Sequence, residues 1–490
     1  MDRPLHIAMG GIAYAVPAQV SAERTFRAKP DDGVRFVGLR ERHSPTFGSY
    51  VTALHIGEGN AMLERTFELS RNGTNVRTEL LAGLTTFMTM AYIIFVNPAI
   101  LADAGMDKGA VFAATCLAAA FGSALMGLWA NYPVALAPGM GLNAYFTYGV
   151  VKGMGHTWET ALGAVFLSGI LFLIVSVTHL REWVINAIPK SLKLAIAAGI
   201  GLFLAIIGLK AAGIVAAHPA TLVTLGNLKA PAAALAVVGF VLMAALDARK
   251  VPGAILIGIL VVAVAGIALG LNKFGGIVSL PPSVGPVFLK MDIMKALEIG
   301  LIAIVFTFFF VDVFDNTGTL VGVAHKAGLV NPDGTLPRAN RALTADSVSA
   351  MAGAAIGTST TTSYIESAAG VNSGGRTGLV AVTVAVLFLA ALFFAPLAGS
   401  IPAFATAPAL VYVACLMMGA VKGIDFDDAT EYVPAVITIA AMPLTFSIAH
   451  GIAFGFITYA GIKLLAGRPG DVSAAVGILA VVFLAKFAFL

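Results

Sequence analysis

Long apolar runs recur through nearly the whole chain, each close to twenty residues long and separated from the next by a short polar hinge. A helix needs about 20 apolar residues to cross the hydrocarbon core of a bilayer. The composition agrees, because 58% of the 490 residues are hydrophobic and only 11% are charged, whereas soluble proteins carry about 25% charged residues. These features exclude a soluble enzyme, a nucleic-acid-binding protein and a disordered scaffold, and they predict a polytopic membrane protein.

The beginning of the chain departs from this pattern. Its first 60 residues contain 13 charged residues, whereas the following 430 contain 43. This part lacks an apolar run long enough to span a bilayer, and it lacks the basic-then-apolar order of a secretory signal. Two interpretations stay open: residues 1–61 form a flexible cytoplasmic tail, or natural translation begins at Met62.

The apolar runs predict fourteen membrane spans in two sets of seven, within halves that cover 62–275 and 276–490. A further apolar run covers 472–489, and residues 431–466 are expected to form either two short helices or one broken hairpin. The first seven spans are predicted near 79–101, 110–130, 134–151, 159–179, 191–213, 230–248 and 251–271. The second seven are predicted near 296–322, 341–357, 360–374, 377–398, 403–421, 431–448 and 449–466.

Basic residues provide an independent test of this span count. Cytoplasmic loops of membrane proteins are enriched in Lys and Arg. With a cytoplasmic N-terminus, the basic clusters next to spans one, four, six, eight and twelve all fall on the cytoplasmic side. We therefore predict a multi-pass protein of a bacterial-type plasma membrane with its N-terminus inside. The clusters contain Arg71, Arg77, Arg181, Lys190, Lys193, Arg249, Lys250, Lys326, Arg338, Arg341 and Lys422.

A polar, glycine-containing or serine- and threonine-rich interruption occurs at a matching place in each half. It covers 137–143 in the first half and 357–366 in the second. Because seven spans is an odd number, the two halves have opposite orientations, which makes them an inverted repeat. Interrupted segments at corresponding positions of inverted repeats are the best sequence indicator of a transporter's binding site.

Span eight contains two carboxylates in an otherwise apolar helix. An Asp at the centre of a membrane helix costs about 2.5–3.5 kcal/mol on insertion scales, and such residues usually serve a substrate or ion pathway. Asp312 and Asp315 are three residues apart and are therefore expected on one helix face, with Asn316 and Thr319 beside them. This stripe predicts a substrate or ion site.

The two interruptions supply further candidate ligands. Glu366 follows the Ser/Thr-rich interruption, where broken backbone at membrane depth needs a cavity or protein partners. Asn143 occupies the matching break and offers both hydrogen-bond donors and an acceptor. With nearby aromatic rings, these groups suit a planar heterocycle that carries several N–H groups. The predicted substrate-binding residues are Gly141, Asn143, Asp312, Phe314, Asp315, Thr362, Tyr364 and Glu366.

Other kinds of chemistry find no support in the sequence. A Walker-type phosphate loop is absent, the short Gly-x-Gly patterns follow no strand, and the eight His residues form no metal-like cluster. We expect no cofactor or metal, no nucleic-acid partner and no enzymatic activity. The expected partners are the lipid bilayer and a small-molecule substrate.

Several stretches resemble the adenine/guanine/hypoxanthine permeases, the purine branch of the nucleobase:cation symporters, which are related to the uracil and xanthine permeases. The resemblance covers about residues 62–490. The stretches that carry it are Thr85–Pro98, Ala137–Phe146, Ala198–Phe203, Asp312–Gly318 and Thr358–Gly375.

The resemblance implies an all-α fold of about fourteen segments in two inverted seven-segment repeats, with short strands and half-helices in segments three and ten. It implies a substrate-binding core domain (79–179 and 296–398) and a gate domain (191–271 and 403–489), which often forms a homodimer. In the family's pattern, the acidic residue of segment eight and the Glu of segment ten bind the base. These positions correspond to Asp312 or Asp315 and to Glu366.

The resulting hypothesis is a secondary active transporter that imports hypoxanthine, adenine or guanine by proton symport with an elevator-type movement of the core. Asp312 or Asp315 is predicted to carry the coupled proton, with sodium as the alternative ion. The alternatives are a uracil or xanthine permease and an anion transporter of the same fold. Three intramembrane carboxylates argue against the anion transporter, because they repel anions.

Overall fold

The computed structural model describes residues 6–9, 12–15, 62–178, 188–298, 301–331 and 336–489. Most of the predicted tail, as well as Arg181 of the predicted basic clusters, therefore lies outside the described residues. Within the tail, β1 (His6–Met9) and β2 (Ile12–Ala15) form an antiparallel pair. A short helix covers 62–67.

The first half contains seven segments, of which the first and third are broken. Segment one consists of α1 and α2, and segment three consists of a strand, β3, followed by α4. A two-stranded hairpin, β4–β5, which the sequence analysis did not predict, connects segments five and six. The elements are α1 (Val76–Met90), α2 (Ile93–Ala102), α3 (Lys108–Leu125), β3 (Leu136–Pro138), α4 (Met140–Ala144), α5 (Trp158–Val177), α6 (Lys190–Ala211), β4 (Val215–His218), β5 (Leu222–Leu225), α7 (Pro231–Ala248) and α8 (Ala254–Ala268). Wider π-helical turns extend α3 over Met126–Ala130 and α4 over Tyr145–Gly153.

The second half repeats this order. Its third segment again begins with a strand, β6, and continues as a short helix, α12. The elements are α9 (Ile293–Ala296), α10 (Ile302–Lys326), α11 (Ala339–Ile356), β6 (Thr361–Ser363), α12 (Ser367–Asn372), α13 (Gly378–Ala391), α14 (Ala395–Gly399), α15 (Ala403–Met417), α16 (Ala429–Leu444), α17 (Ile448–Leu465) and α18 (Ala474–Phe489).

The fold is that of a polytopic membrane protein with fourteen segments and short strands in segments three and ten, as predicted. Within the described ranges, nine helices are long and apolar enough to cross a membrane. The other segments are three and ten, which contain the strands, together with α11 and the shorter apolar helices α8 and α16. The further apolar run predicted at 472–489 forms α18, which is also a shorter apolar helix. Residues 431–466 contain two helices, α16 and α17, separated at Phe446 and Ser447.

Segment one covers the predicted span, although its helix is interrupted at Ala91 and Tyr92 and has Pro98 within its second part. The predicted start of segment eight was wrong. Segment eight begins at Ile302 rather than near 296, because Asp292 caps a separate short helix, α9, whose Lys295 and the exposed Glu298 beyond it favour water.

Segments three and ten bond to each other through the backbones of their strands. Strands β3 and β6 run antiparallel, with Leu136 opposite Ser363 and Pro138 opposite Thr361. The Gly139 amide donates to the Thr360 carbonyl at 2.9 Å, beside the paired strands. Since lipid offers no hydrogen-bonding groups, each strand provides the partners that the other needs.

Side chains from neighbouring segments bond to the outer edges of this small sheet. The Ser123 hydroxyl of α3 accepts from the Leu136 amide at 2.9 Å and donates to the Leu136 carbonyl at 3.0 Å. On the other edge, the side-chain oxygen of Asn316 accepts from the Ser363 amide at 2.7 Å. The sheet is thereby attached to α3 and α10.

Packing divides the remaining helices into two groups. In the first, α3, α5, α11 and α13 pack mainly with each other around the strand pair. In the second, α6, α7, α8, α15, α16 and α17 pack mainly with each other. Very close approach occurs within the first group, where a Cβ on Gly127 would lie 2.4 Å from the Gly378 carbonyl oxygen.

Glu79 joins the first segment to the eleventh and provides a stability test. Its fully buried carboxylate accepts from the Arg376 amide at 2.8 Å, the Thr377 amide at 3.1 Å and the Thr377 hydroxyl at 2.7 Å. Replacing Glu79 by Ala leaves these donors without partners, so stability should fall by about 2–4 kcal/mol. Thermal unfolding of detergent-purified protein measures the loss. The control, Glu298→Ala, alters an exposed carboxylate and should melt like the wild type; equal melting of both variants would contradict the assignment.

Candidate functional site

The two carboxylates of α10 occupy different environments. Residues three apart on a helix point about 60° apart, and here this angle separates a buried face from an exposed one. Asp312 is fully buried, whereas Asp315 is exposed. Although the two carboxylates are close in the helix, they differ in exposure.

One side of α10 is exposed from the middle of the helix to its Lys326 end, and this exposed stripe is hereafter called the opening. Its members, Asp315, Gly318, Gly322 and His325, follow each other at helical spacing towards the Lys326 end. Across from Gly322 lies Ile365, which is 53% exposed although it directly follows the buried Tyr364. Because an Asp at mid-helix is costly in lipid, we expect this stripe to line a substrate or ion pathway rather than to face lipid.

Asn316 connects α10 to the second broken segment. Its amide nitrogen donates to Oδ1 of Asp312 at 2.8 Å. Its side-chain oxygen accepts from the Thr362 hydroxyl and from the Ser363 amide, both at 2.7 Å. All of these groups are buried, so the side chain fixes the distance between α10 and β6.

A fourth intramembrane carboxylate, Asp346 of α11, belongs to this cluster and was missed by the sequence analysis. It is 1% exposed, and its Oδ1 accepts from the Ser363 hydroxyl at 2.9 Å. The carboxyl groups of Asp346 and Asp312 act on one another electrostatically. The sequence offered only a weak signal, a lone Asp in a helix that also contains Thr344, Ser347 and Ser349.

Glu366 lies immediately before α12, at the end of the second break. The Tyr92 hydroxyl donates to its Oε1 at 2.7 Å. Tyr92 itself lies where segment one is broken, so a third interruption contributes to the cluster. The Glu366 carboxyl also interacts electrostatically with that of Asp315. Of the predicted residues, Asp315 and Glu366 are thus brought together beside the opening.

The first break contributes Asn143 and Gly141. Asn143 is fully buried; its amide nitrogen lies 3.5 Å from the Pro138 carbonyl, and its side-chain oxygen accepts no hydrogen bond. An unpartnered buried oxygen in this position is available to a polar ligand. Gly141 packs against α6, because a Cβ there would lie 2.5 Å from Cγ2 of Ile200.

The other predicted residues form contacts within the protein. The Tyr364 hydroxyl donates to the Pro138 carbonyl at 2.6 Å, which joins the two breaks, and Thr362 donates to Asn316. Phe314 stacks on Phe310 with ring centroids 6.3 Å apart, and the Lys193 ammonium of α6 lies 5.6 Å from its ring centre. Phe314 therefore lies at the contact between α10 and α6.

Within the described ranges, no group of three or more His, Cys, Asp or Glu residues is arranged to hold a metal ion. The residues of the site are carboxylates, amides, hydroxyls and aromatic rings. Such a set recognises a polar organic molecule or a proton.

The sequence of this chain matches a known protein family over most of its length. A model of a family described as the Permease family matches residues 77–454. The chain belongs to this permease family. It is 49% identical to the adenine permease AdeP of Escherichia coli over 432 residues, which cover 88% of this chain and 97% of AdeP. It is 46% identical to the guanine/hypoxanthine permease PbuO of Bacillus subtilis over 425 residues, which cover 85% and 98% of the two chains. The predicted resemblance is confirmed.

A solved structure with the same fold is the transmembrane domain of the cyanobacterial bicarbonate transporter BicA. It superposes with a TM-score of 0.59 at 17% identity, covering 77% of this chain and 97% of that domain. At this identity, the comparison supports the fold and not the substrate.

Asn316 provides a test of the site's architecture. Replacing Asn316 by Ala leaves Asp312, Thr362 and the Ser363 amide each without a buried partner, so stability should fall by about 3–5 kcal/mol. The control on the same helix is Thr317→Ala, which removes only a bond to the helix's own Val313 carbonyl and should cost less than about 1 kcal/mol. Thermal unfolding in detergent compares the two. An Asn316→Ala protein as stable as Thr317→Ala would show that the amide does not hold β6.

Proposed function

We propose that this permease imports purine nucleobases by proton symport. The observation that supports the proposal most strongly is the placement of Asp315 and Glu366 together at an opening beside two broken segments. The relatives named above are permeases for adenine and for guanine/hypoxanthine. The chain's similarity to them extends over nearly their whole length.

The chemistry of the site suits a flat base with several N–H groups. A carboxylate such as Glu366 accepts from ring N–H groups, and charged acceptors make the stronger hydrogen bonds. The free side-chain oxygen of Asn143 accepts from an exocyclic amine, and its amide donates to an exocyclic carbonyl. We propose that Asp315 and Glu366 contact the base directly and that Asn143 reads its exocyclic groups.

The packing supports an elevator-type movement. The helices around the strand pair form one group and α6, α7, α8, α15, α16 and α17 form another, which correspond to the proposed core and gate. The helix α10 packs against α5 of the first group, and α4 follows the strand β3 that this group surrounds. Gly141 of α4 lies against Ile200, and Phe314 of α10 lies against Lys193, so both are contacts with the second group. The opening leads towards the Lys326 end of α10, which is cytoplasmic in the proposed orientation; the conformation is then inward-facing.

One coupled proton is sufficient for scavenging. A single charge that moves through a potential of about 150 mV provides roughly 3.5 kcal/mol. Because a tenfold concentration ratio costs about 1.36 kcal/mol, this supports an accumulation of a few hundred-fold. We propose that a carboxyl group of the α10 cluster carries this proton.

The basic residues support a plasma-membrane location with a cytoplasmic N-terminus. Lys190, Arg249, Lys326 and Lys422 all lie at segment ends that share this side. A homodimer through the gate group is also part of the proposal. Its basis is the family resemblance.

Two other substrates can be compared with purines. Uracil or xanthine would use the same carboxylates and the same breaks. An anion would share the fold, as the bicarbonate transporter BicA does, but it would meet Asp312, Asp315, Asp346 and Glu366. The cluster of four carboxyl groups favours a neutral base over an anion.

Uptake of radiolabelled hypoxanthine, in cells without their own purine permeases, tests the function. We expect accumulation that excess unlabelled adenine or guanine reduces and that a protonophore abolishes. Accumulation that survives the protonophore but requires sodium would replace the proposed ion. Absence of uptake for adenine, guanine and hypoxanthine alike, with the protein present in the membrane, would overturn the substrate class.

Replacing Glu366 by Gln tests the direct contact with the base. The amide keeps the shape of the side chain but lacks the charge, so hypoxanthine affinity should fall at least about 30-fold, which corresponds to ~2 kcal/mol for a charged hydrogen bond. Equilibrium binding to detergent-purified protein measures it. Glu298→Gln, in an exposed loop, is the matched control and should bind like the wild type. Unchanged affinity in Glu366→Gln would remove Glu366 from the site.

A further inference from the structure

We infer that the coupled proton is shared by Asp312 and Asp346, behind the substrate opening, and that Asp315 does not carry it. This inference rests on the proposed function, and it deepens that function by adding a residue of α11 to the mechanism. Asp346 is thereby a positioning residue, since it does not face the opening that the base would enter.

The first observation is a pair of buried acids with unfilled bonding capacity. Asp312 and Asp346 are 0% and 1% exposed. In each, Oδ1 accepts a hydrogen bond and the buried Oδ2 has no partner. An oxygen without a donor is unfavourable for a buried carboxylate, and a proton placed there provides the missing donor.

The second observation concerns the charges around this pair. The charged groups that act on Asp312 are the carboxyls of Asp346 and Asp315, both negative. The salt bridges of Arg71, Arg468 and Lys463 lie outside the cluster, and Asp346 is acted on by Asp315, which is also negative. A second negative charge on two neighbouring buried carboxyl groups is strongly unfavourable, so the pair readily binds one proton.

The neighbouring elements place the other titratable groups towards the opening. Glu366 acts on Asp315 and is bonded by Tyr92, while the Lys193 ammonium of α6 lies over the Phe314 ring. Asp315 acts on both Asp312 and Asp346, but its side chain lies on the exposed side of α10, whereas those of Asp312 and Asp346 are fully covered by protein. Protonation therefore stabilises the Asp312–Asp346 pair more than it stabilises Asp315.

The third observation connects the pair to the substrate side. Asn316 donates to Asp312 and accepts from the Ser363 amide, and the Ser363 hydroxyl donates to Asp346. Ser363 ends β6, and Glu366 follows three residues later. Loss of the proton would place two like charges on α10 and α11, on either side of the Asn316–Ser363 bond, and would displace the strand that positions Glu366.

The step is a simple protonation. The deprotonated pair, with charge −2, binds one proton from a hydronium ion of the surrounding water on a carboxylate oxygen, which leaves a water molecule and a pair with charge −1. The geometry of β6 then favours binding of the base. After the movement of the core, the proton returns to water on the other side together with the base.

Asp346→Asn tests the assignment, because Asn imitates a partner that is permanently neutral. In the wild type, hypoxanthine affinity should fall about tenfold per pH unit above the midpoint of deprotonation, as expected for one linked proton. In Asp346→Asn, affinity should be independent of pH. Exchange of labelled for unlabelled hypoxanthine in proteoliposomes should continue, whereas accumulation driven by a proton gradient should fall from a few hundred-fold to none. The control, Asp427→Asn, alters an exposed carboxylate outside the cluster and should keep both properties.

A second variant keeps the test valid if Asp346→Asn does not fold. Ser363→Ala removes the hydroxyl that stabilises charged Asp346, so the wild-type pH profile should move to higher pH while coupling remains. An unchanged profile in Ser363→Ala, or gradient-driven accumulation in Asp346→Asn at the wild-type level, would overturn the inference. Loss of pH dependence in Asp315→Asn, with Asp346→Asn unaffected, would assign the proton to Asp315 instead.

A measurement without substrate separates this inference from the proposed function. The infrared spectrum of the purified protein at neutral pH should contain the carbonyl band of a protonated carboxyl group. The double variant Asp312→Asn/Asp346→Asn should lack that band, and Asp315→Asn should keep it. A band retained by the double variant refutes the shared proton, whether or not hypoxanthine is the substrate. A wild type with this band but no purine uptake would refute the substrate class alone.

Discussion

The antiparallel bonding of β3 to β6 is the interaction on which the rest of the structure depends. A chain that leaves helical geometry at membrane depth exposes N–H and C=O groups for which lipid has no partners. Here two such departures are placed against each other, and Ser123 and Asn316 bond to the edges that remain. Neither half of the chain provides this arrangement alone.

The same hydrogen bonds place the carboxyl cluster directly beside the strand pair. The amide of Asn316 completes the edge of β6 and also donates to Asp312. The Ser363 amide and hydroxyl divide their bonds between Asn316 and Asp346. A change of charge in the carboxyl cluster therefore acts directly on the strand, since no mobile loop or intervening layer lies between them.

Much of this could be predicted from local patterns. Apolar runs predict the segments, and runs interrupted by Ser, Thr or Gly predict the breaks. Charged side chains and unpaired backbone groups are costly in lipid, so they indicate a site where protein or a ligand pairs with them. Asp312, Asp315 and Glu366 were found in this way.

What remained hidden depends on contacts between residues far apart in the chain. The break at Tyr92 lies in a run without a Gly-rich or Ser/Thr-rich interruption at that point, and the hydrogen-bond partner of Tyr92, Glu366, is 274 residues away. Asp346 lies in a helix that contains several other polar residues, so a single Asp in this sequence does not indicate a buried site. Asp312 and Asp315 differ in exposure because other helices cover only one side of α10. The spacing of residues along the sequence does not predict which side is covered.

The pairing of strands from opposite halves also has a consequence for biosynthesis. Ala135 and Ser367, which are joined by a hydrogen bond, are 232 residues apart. At a synthesis rate of about 5–20 residues per second, β6 leaves the ribosome roughly 10–45 s after β3. Throughout that interval the first break has no strand to bond with, so it must remain in contact with water, with Ser123 or with the insertion machinery. The first half therefore cannot complete its backbone hydrogen bonds until β6 has been synthesised. The length of chain between the two strands sets the time during which the first break is open to misfolding.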